Sequence, residues 1–349
     1  MTIPVDINQN NPLALSEIAE ELIAINLELT DESLINPDAI SDITISENYI
    51  IVTKWARVLV FDKDGKFVRA IGRVGQGPGS FIFIRNVVID EKNERLFLLS
   101  GNPSKIISFD LNGTFLNEVS VRNLRPKHMS YVNGKLLLVS KDIRMRGRRE
   151  FSSHSVLYRL DDSFQVIDSL CIRRTSVITD GLTLHTSFAF INKSIVQGAG
   201  GTTYFYLNEL GDPPTEIVLR DTLYRLEGNQ LIPELRLSFR NDGISRAGNR
   251  FIDLKSIFRS SRYVFSIYKN TLTGNTYQFV FDTKTGKSSN MQGGFIDDIN
   301  NIEERIIISP LTTNSEIFYF WHTHMDPDDF EEPNPTLYVG RLRRLAGGN

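Results

Sequence analysis

Short apolar runs that end on a phenylalanine–aspartate pair and restart just beyond a glycine punctuate the first third of the chain. Phe61-Asp62-Lys63-Asp64-Gly65-Lys66-Phe67 has a second copy in Phe109-Asp110-Leu111-Asn112-Gly113-Thr114-Phe115. Each copy reads as a strand, a tight Asp-Gly or Asn-Gly turn whose central positions need φ > 0, and a returning strand, so the two are equivalent β-hairpins. A strand-only repeat of about 50 residues predicts one four-stranded blade per repeat in a β-propeller.

With that period the chain divides into blades. The first takes strands near 40–46, 49–54, 57–62 and 67–71, and the second near 84–90, 96–100, 105–110 and 115–121. A third begins at His128 and continues through 135–139, 155–160 and 164–172. A fourth starts near Ser187 and carries its hairpin in Leu223-Tyr224-Arg225-Leu226-Glu227-Gly228-Asn229. The fifth holds Phe279-Val280-Phe281-Asp282-Thr283-Lys284-Thr285-Gly286-Lys287, the same turn with one residue added. The sixth runs from Phe295 through 317–322 to 337–343 and is one strand short. The alternating segment 22–29 fits as that missing strand, since a ring closed from the N-terminus leaves no sheet edge unpaired. Ser16 followed by Glu17, Glu20 and Glu21 signals a short helix before it. The expectation is an all-β fold: a lead at 1–17 and one six-bladed β-propeller domain at 18–345, with four-stranded antiparallel blades.

Composition narrows the function classes. At 41% apolar and 23% charged residues the chain has enough material for a continuous core. A formal net charge of -3 gives no global positive field to hold nucleic acid. The single cysteine, Cys171, sits in the apolar run Ser169-Leu170-Cys171-Ile172 and reads as a buried strand thiol that allows no intramolecular disulfide. No window approaches the ~18 apolar residues of a membrane span. Met1-Thr2-Ile3-Pro4-Val5 has neither a basic n-region nor an apolar h-region, so no signal peptide is read there.

In a four-stranded meander the blade-crossing loops and the loops between strands two and three share one face, where propeller ligands gather. Gly72-Arg73-Val74-Gly75-Gln76-Gly77-Pro78-Gly79-Ser80-Phe81 lacks the Gly-Lys-Ser/Thr ending and the following helix of a phosphate loop, and reads as a blade-crossing loop. His128, His154, His185, His322 and His324 all map toward that face. His322-Thr323-His324 puts two imidazoles on one side of a strand with Asp326, Asp328 and Asp329 close behind, a spacing open to a metal site or to plain solvated loop chemistry. Arg144-Met145-Arg146-Gly147-Arg148-Arg149, placed in a long loop of the third blade, offers guanidinium groups to carboxylates or sulfates. Gly293-Gly294-Phe295-Ile296-Asp297-Asp298-Ile299-Asn300 is placed at the start of the innermost strand of the last blade, with one aspartate aimed at the channel or an arginine such as Arg73 or Arg85. No Gly-x-Ser-x-Gly elbow and no Ser/His/Asp order is present, so no catalytic residue is assigned.

The Phe-Asp turn at 61–67 running into Ile71-Gly72-Arg73-Val74-Gly75-Gln76-Gly77-Pro78-Gly79-Ser80-Phe81, the run Lys105-Ile106-Ile107-Ser108-Phe109-Asp110-Leu111-Asn112-Gly113 and Gly294-Phe295-Ile296-Asp297-Asp298-Ile299 together resemble the six-bladed β-propeller proteins of Bacteroides and its relatives, which are similar to NHL-repeat propellers. The likeness spans about Ile18 to Arg344; Ser80 stands where the family often has an acid. It implies a secreted or lipid-anchored protein, extracytoplasmic in the periplasm or at the cell surface. The function expected is non-enzymatic binding of a glycan, a peptide or a partner protein, without cofactor. Arg73, Arg85, His128, Arg146, His185 and Asp298 are the candidate ligand-binding residues. Some NHL-type propellers are metal-dependent lyases, so the alternative is a lyase or hydrolase with one divalent metal such as Zn or Ca at His322 and His324.

Overall fold

A computed structural model of the chain describes residues 1–36, 40–146, 150–178, 194–207, 220–239, 243, 251–323 and 333–345. Six sheets form the blades of a β-propeller, each a four-stranded antiparallel meander. Blade one is Ile40–Ile45, Tyr49–Lys54, Arg57–Asp62 and Phe67–Ile71. Blade two is Ile84–Asp90, Arg95–Gly101, Ser104–Asp110 and Phe115–Ser120. Blade three is Pro126–Val132, Lys135–Arg146, Glu150–Leu160 and Val166–Ile178. Blade four is Ile195–Gln197, Thr203–Phe205, Thr222–Glu227 and Gln230–Phe239. Blade five is Ile252–Arg259, Tyr263–Asn270, Thr276–Asp282 and Ser288–Gln292. Blade six is Ser309–Leu311, Asn314–His322, Thr336–Leu342 and the N-terminal strand Ala19–Asn26, which closes the ring as expected after a one-turn helix at Leu15–Ile18.

Contacts divide the chain into two compact units. One is Met1–Ile23, Gly181–Phe320 and Val339–Asn349; the other is Ala24–Asp180 and Trp321–Tyr338. In the second unit the middle strands of blade one are buried along most of their length. Ile50, Ile51, Val52 and Thr53 are buried in a row in Tyr49–Lys54, as are Val58, Leu59, Val60 and Phe61 in Arg57–Asp62. Val58, Val60, Ile84, Val87, Leu98 and Ile107 interlock blades one and two, while Phe97, Leu99, Met129 and Leu138 do the same for blades two and three. In the first unit Leu237, Ile252, Val264, Tyr268 and Phe279 form the seam between blades four and five.

The repeated aspartates cap their hairpins. Asp62 accepts from the amides of Asp64 and Lys66, Asp110 from Thr114, Asp161 from Ser163 and Gln165, and Asp282 from Lys284. These turns are not the two-residue type expected. Each has one left-handed residue, Gly65, Gly113, Phe164 or Gly286. In the first three hairpins the register also slips by one residue just inside the turn, the signature of a three-residue loop with a bulge.

Other expectations change. Thr2–Val5 is a fifth, parallel strand on blade four, paired with Arg236 to Phe239. Residues 293–300 do not begin the innermost strand of blade six. Gly293 and Gly294 have positive φ, and the strand-like pairing of the segment is limited to isolated bridges, Ala14 to Ile296 and Phe295 to Ile306. The arginine-rich segment is not a long loop, because Lys135–Arg146 and Glu150–Leu160 stay paired out to Arg146 opposite Glu150. Cys171 is exposed rather than buried: it lies on the last strand of its blade, the edge of that sheet among the described residues.

Candidate functional site

The loop that carries the chain from blade two to blade three is tight and basic. Val121 leads into a single 3-10 turn, Arg122–Leu124, and Arg125 closes it in the left-handed conformation, its amide bonded to the Arg122 carbonyl at 3.2 Å. Pro126 then starts the first strand of blade three. This geometry sets Arg122, Arg125 and Lys127 beside Arg85, from the first strand of blade two, and Lys141, from the second strand of blade three. Together with Ser104, Pro126 and Ile143 they line an open cavity of about 340 Å³. Among the described residues lining it, five are cations and none is an acid.

The electrostatics of that cluster follow from burial and crowding. Burial lowers the pKa of Arg85 below the ordinary guanidinium value. The Lys127 ammonium is likewise held below its ordinary 10.5, first by burial and then by the positive charges of Arg85, Lys141 and Arg125. Arg85 Nε is buried and has no hydrogen-bond partner among the described residues. A buried donor left unpaired costs about 1–3 kcal/mol, which an anionic acceptor would return. At the rim Asp142 is paired with Arg125 and takes Arg144 Nε at 2.8 Å, so part of the outer charge is matched.

An aromatic stack abuts the cluster. The guanidinium carbon of Arg85 lies 5.2 Å from the centroid of the Phe83 ring, and Phe83 stacks on Trp55 at 5.0 Å with planes 21° apart. Trp55 stands in the turn between strands two and three of blade one, where its carbonyl accepts from the Ile84 amide at 2.9 Å, and it is 53% exposed. Phe83 is seated on Gly101: a Cβ there would lie 1.8 Å from the ring.

Of the candidates read from sequence, Arg85 lines this cavity. Arg73 is exposed, in a two-residue pairing with Ser80 and Phe81, and donates from Nε to Ser80 Oγ at 3.3 Å. His128 is buried opposite Val139 within blade three and is not one of the lining residues. Arg146 is placed opposite Glu150 at the end of its strand. His185 and His324 lie outside the described residues, as do Asp326, Asp328 and Asp329; His322 ends the second strand of blade six. Asp298 meets Ser16, not an arginine: it accepts from the Ser16 amide at 3.0 Å and hydroxyl at 2.5 Å, bonds that lower its pKa. Its neighbour Asp297 turns onto the amides of Ile299 and Asn300, both at 3.0 Å. These aspartates fasten the N-terminal lead and a loop. His154 Nε2 lies 3.3 Å from Cys171 Sγ. Among the described residues no group of three His, Cys, Asp or Glu side chains is arranged to hold a metal, and no helix is long and apolar enough to cross a membrane.

Sequence reasoning missed Arg122, Arg125, Lys127, Lys141 and Trp55. The signal was present in Val121-Arg122-Asn123-Leu124-Arg125-Pro126-Lys127, three cations in a blade-crossing loop that ends on a proline.

Comparison with solved structures finds proteins of similar fold. An inferred exported protein from Bacteroides fragilis is 16% identical, with a TM-score of 0.64 over 98% of this chain and 99% of that one. A member of the DUF4221 family from Bacteroides vulgatus is 9% identical, with a TM-score of 0.49 over 97% and 99%. Comparison with curated proteins finds no match. The profile of a domain of unknown function, DUF4934, matches residues 1–337, and the chain belongs to that family.

Proposed function

We propose that this protein is a non-enzymatic binding propeller whose ligand carries carboxylate or sulfate groups, held in the basic cavity between the ends of blades two and three. The observation that carries the reading is the cation cluster itself: Arg85 and Lys127 are pushed toward their neutral forms by burial, the lysine also by its neighbours, and no acid joins them in the cavity lining. Guanidinium forks and ammonium groups in fixed, partly dehydrated positions favour multidentate oxyanions over chloride. The similarity to an exported Bacteroides protein supports an extracytoplasmic place, periplasm or cell surface. The alternative, a metal-dependent lyase or hydrolase of NHL type at His322 and His324, turns on His324, which lies outside the described residues.

The test is thermal unfolding in matched ionic strength with sodium chloride, sulfate or citrate. Sulfate and citrate at millimolar concentration are expected to raise the Tm of the wild-type protein and not that of a Lys127→Ala, Arg85→Ala double variant. Equal Tm values in all three salts for the wild-type protein would sink the proposal.

A further inference from the structure

The cavity accounts for charge but not for the exposed tryptophan beside it. We infer that the ligand is an acidic glycan, a chain of pyranose rings bearing carboxylate or sulfate, with one ring lying on Trp55 and its anionic substituent, or that of the adjoining ring, reaching the Arg85 and Lys127 end of the cavity. This rests on the anion-binding reading above and goes beyond it by naming the ligand class.

Three observations point the same way. Trp55 presents its indole to solvent at 53% exposure, although an aromatic ring of that size ordinarily buries most of itself. Its orientation is fixed rather than free, because Phe83 stacks on it at 5.0 Å and Phe83 is itself seated on Gly101, where no side chain intrudes. A rigid aromatic face costs little entropy to occupy. The same Phe83 ring carries the Arg85 guanidinium at 5.2 Å, so the apolar face and the inner cations are joined through one side chain. A pyranose offers both partners: the axial C–H groups of one ring face for the indole, and an equatorial carboxylate or sulfate for the cations. An acidic peptide supplies the charge but no flat apolar face at a fixed distance from it.

Titration calorimetry with four probes decides the matter: tetragalacturonate, its fully methyl-esterified form, a chondroitin sulfate tetrasaccharide and hexaglutamate. The wild-type protein is expected to bind at least one of the two acidic sugars at least tenfold more tightly than the neutral ester and hexaglutamate. Preference between the two identifies carboxylate or sulfate as the anchoring group. Trp55→Ala is expected to weaken the sugar about tenfold while leaving the Tm rise with sulfate unchanged, and Trp55→Phe to restore most of the affinity. Because Trp55 is exposed, its replacement leaves the fold intact, and the retained sulfate effect verifies this. Hexaglutamate binding as tightly as the sugars, or Trp55→Ala binding sugar like the wild type, overturns the glycan inference while the anion site stands. Loss of the sulfate effect in the wild-type protein overturns both.

Discussion

Arg262 and Arg85 are both packed against an aromatic ring near the end of a blade, yet their surroundings are opposite. Arg262 lies 4.9 Å from the Tyr263 ring and grips Asp282 with two hydrogen bonds, Nε to Oδ1 at 3.1 Å and a terminal nitrogen to Oδ2 at 2.7 Å. The carboxylate raises the arginine's pKa, and the arginine, ahead of the Lys284 amide, lowers that of Asp282 to about 2. Arg85 has its ring and its burial but no such carboxylate among the described residues, and its pKa moves down. A half-buried cation with its own acid is architecture. One crowded among other cations is destabilised by design of the site, and an external anion is what relieves it.

The contrast is sharpest when an acid is removed. Asp282→Ala strips Arg262 of its partner and the hairpin of its cap, and is expected to cost about 3 kcal/mol in urea unfolding with anion binding intact. A loss below about 1 kcal/mol would mean that the pair is ornamental. Gly101→Ala attacks the other region through packing: the new Cβ must displace the Phe83 ring, at about 2 kcal/mol, and tryptophan emission should shift as the Trp55 stack opens. Unchanged emission would show that the stack does not depend on Gly101.

Removing a cation should have the reverse sign. Lys127→Met takes away a charge that burial and three neighbours oppose, so stability is expected to hold or rise by about 1 kcal/mol while affinity for sulfate falls. A protein destabilised by this change would place Lys127 with the architecture instead. The smallest effects lie in pH. Asp282 is more acidic folded than unfolded, so its stabilisation is complete above its ordinary value of 3.8 and is lost as pH falls toward 2. Lys127 binds its proton less tightly folded than unfolded, so stability rises with pH from its depressed value up to 10.5. Urea midpoints across both ranges should show the acid slope flattened by Asp282→Ala and the alkaline slope flattened by Lys127→Met.

The blades were legible because their repeat is chemical. An aspartate that caps a turn and a residue that must turn left-handed recur at fixed spacing, so 57–71 and 105–120 could be placed to within a residue or two. Blade three was read too short because Ser140 to Arg146 and Glu150 to Ser155 mix polar residues with few apolar ones, so the ladder extends through buried polar positions such as Ser140, Lys141, Ser153 and Ser155 that carry no apolar signal. Thr2–Val5 went unseen since four residues carry too little pattern. The site was legible only in Arg85. Its other cations come from a loop and a strand whose convergence depends on how blade three packs on blade two, a contact that no local spacing encodes.

The strand Ala19–Asn26 is made long before its partner. Asn26 Oδ1 accepts from the Thr336 hydroxyl 310 residues further on, and the Ile18 carbonyl accepts from the Arg343 amide. At ribosomal speeds of about 5–20 residues per second, the strand Ala19–Asn26 waits tens of seconds for its partner to be made. Closing so long a loop costs an unstructured chain about 5 kcal/mol, a cost that shrinks as intervening blades condense. Until Thr336–Leu342 emerges, an early strand stands as an open edge that a neighbouring chain can pair with, so the safest nascent chain is one in which the blades form in order and the ring shuts last.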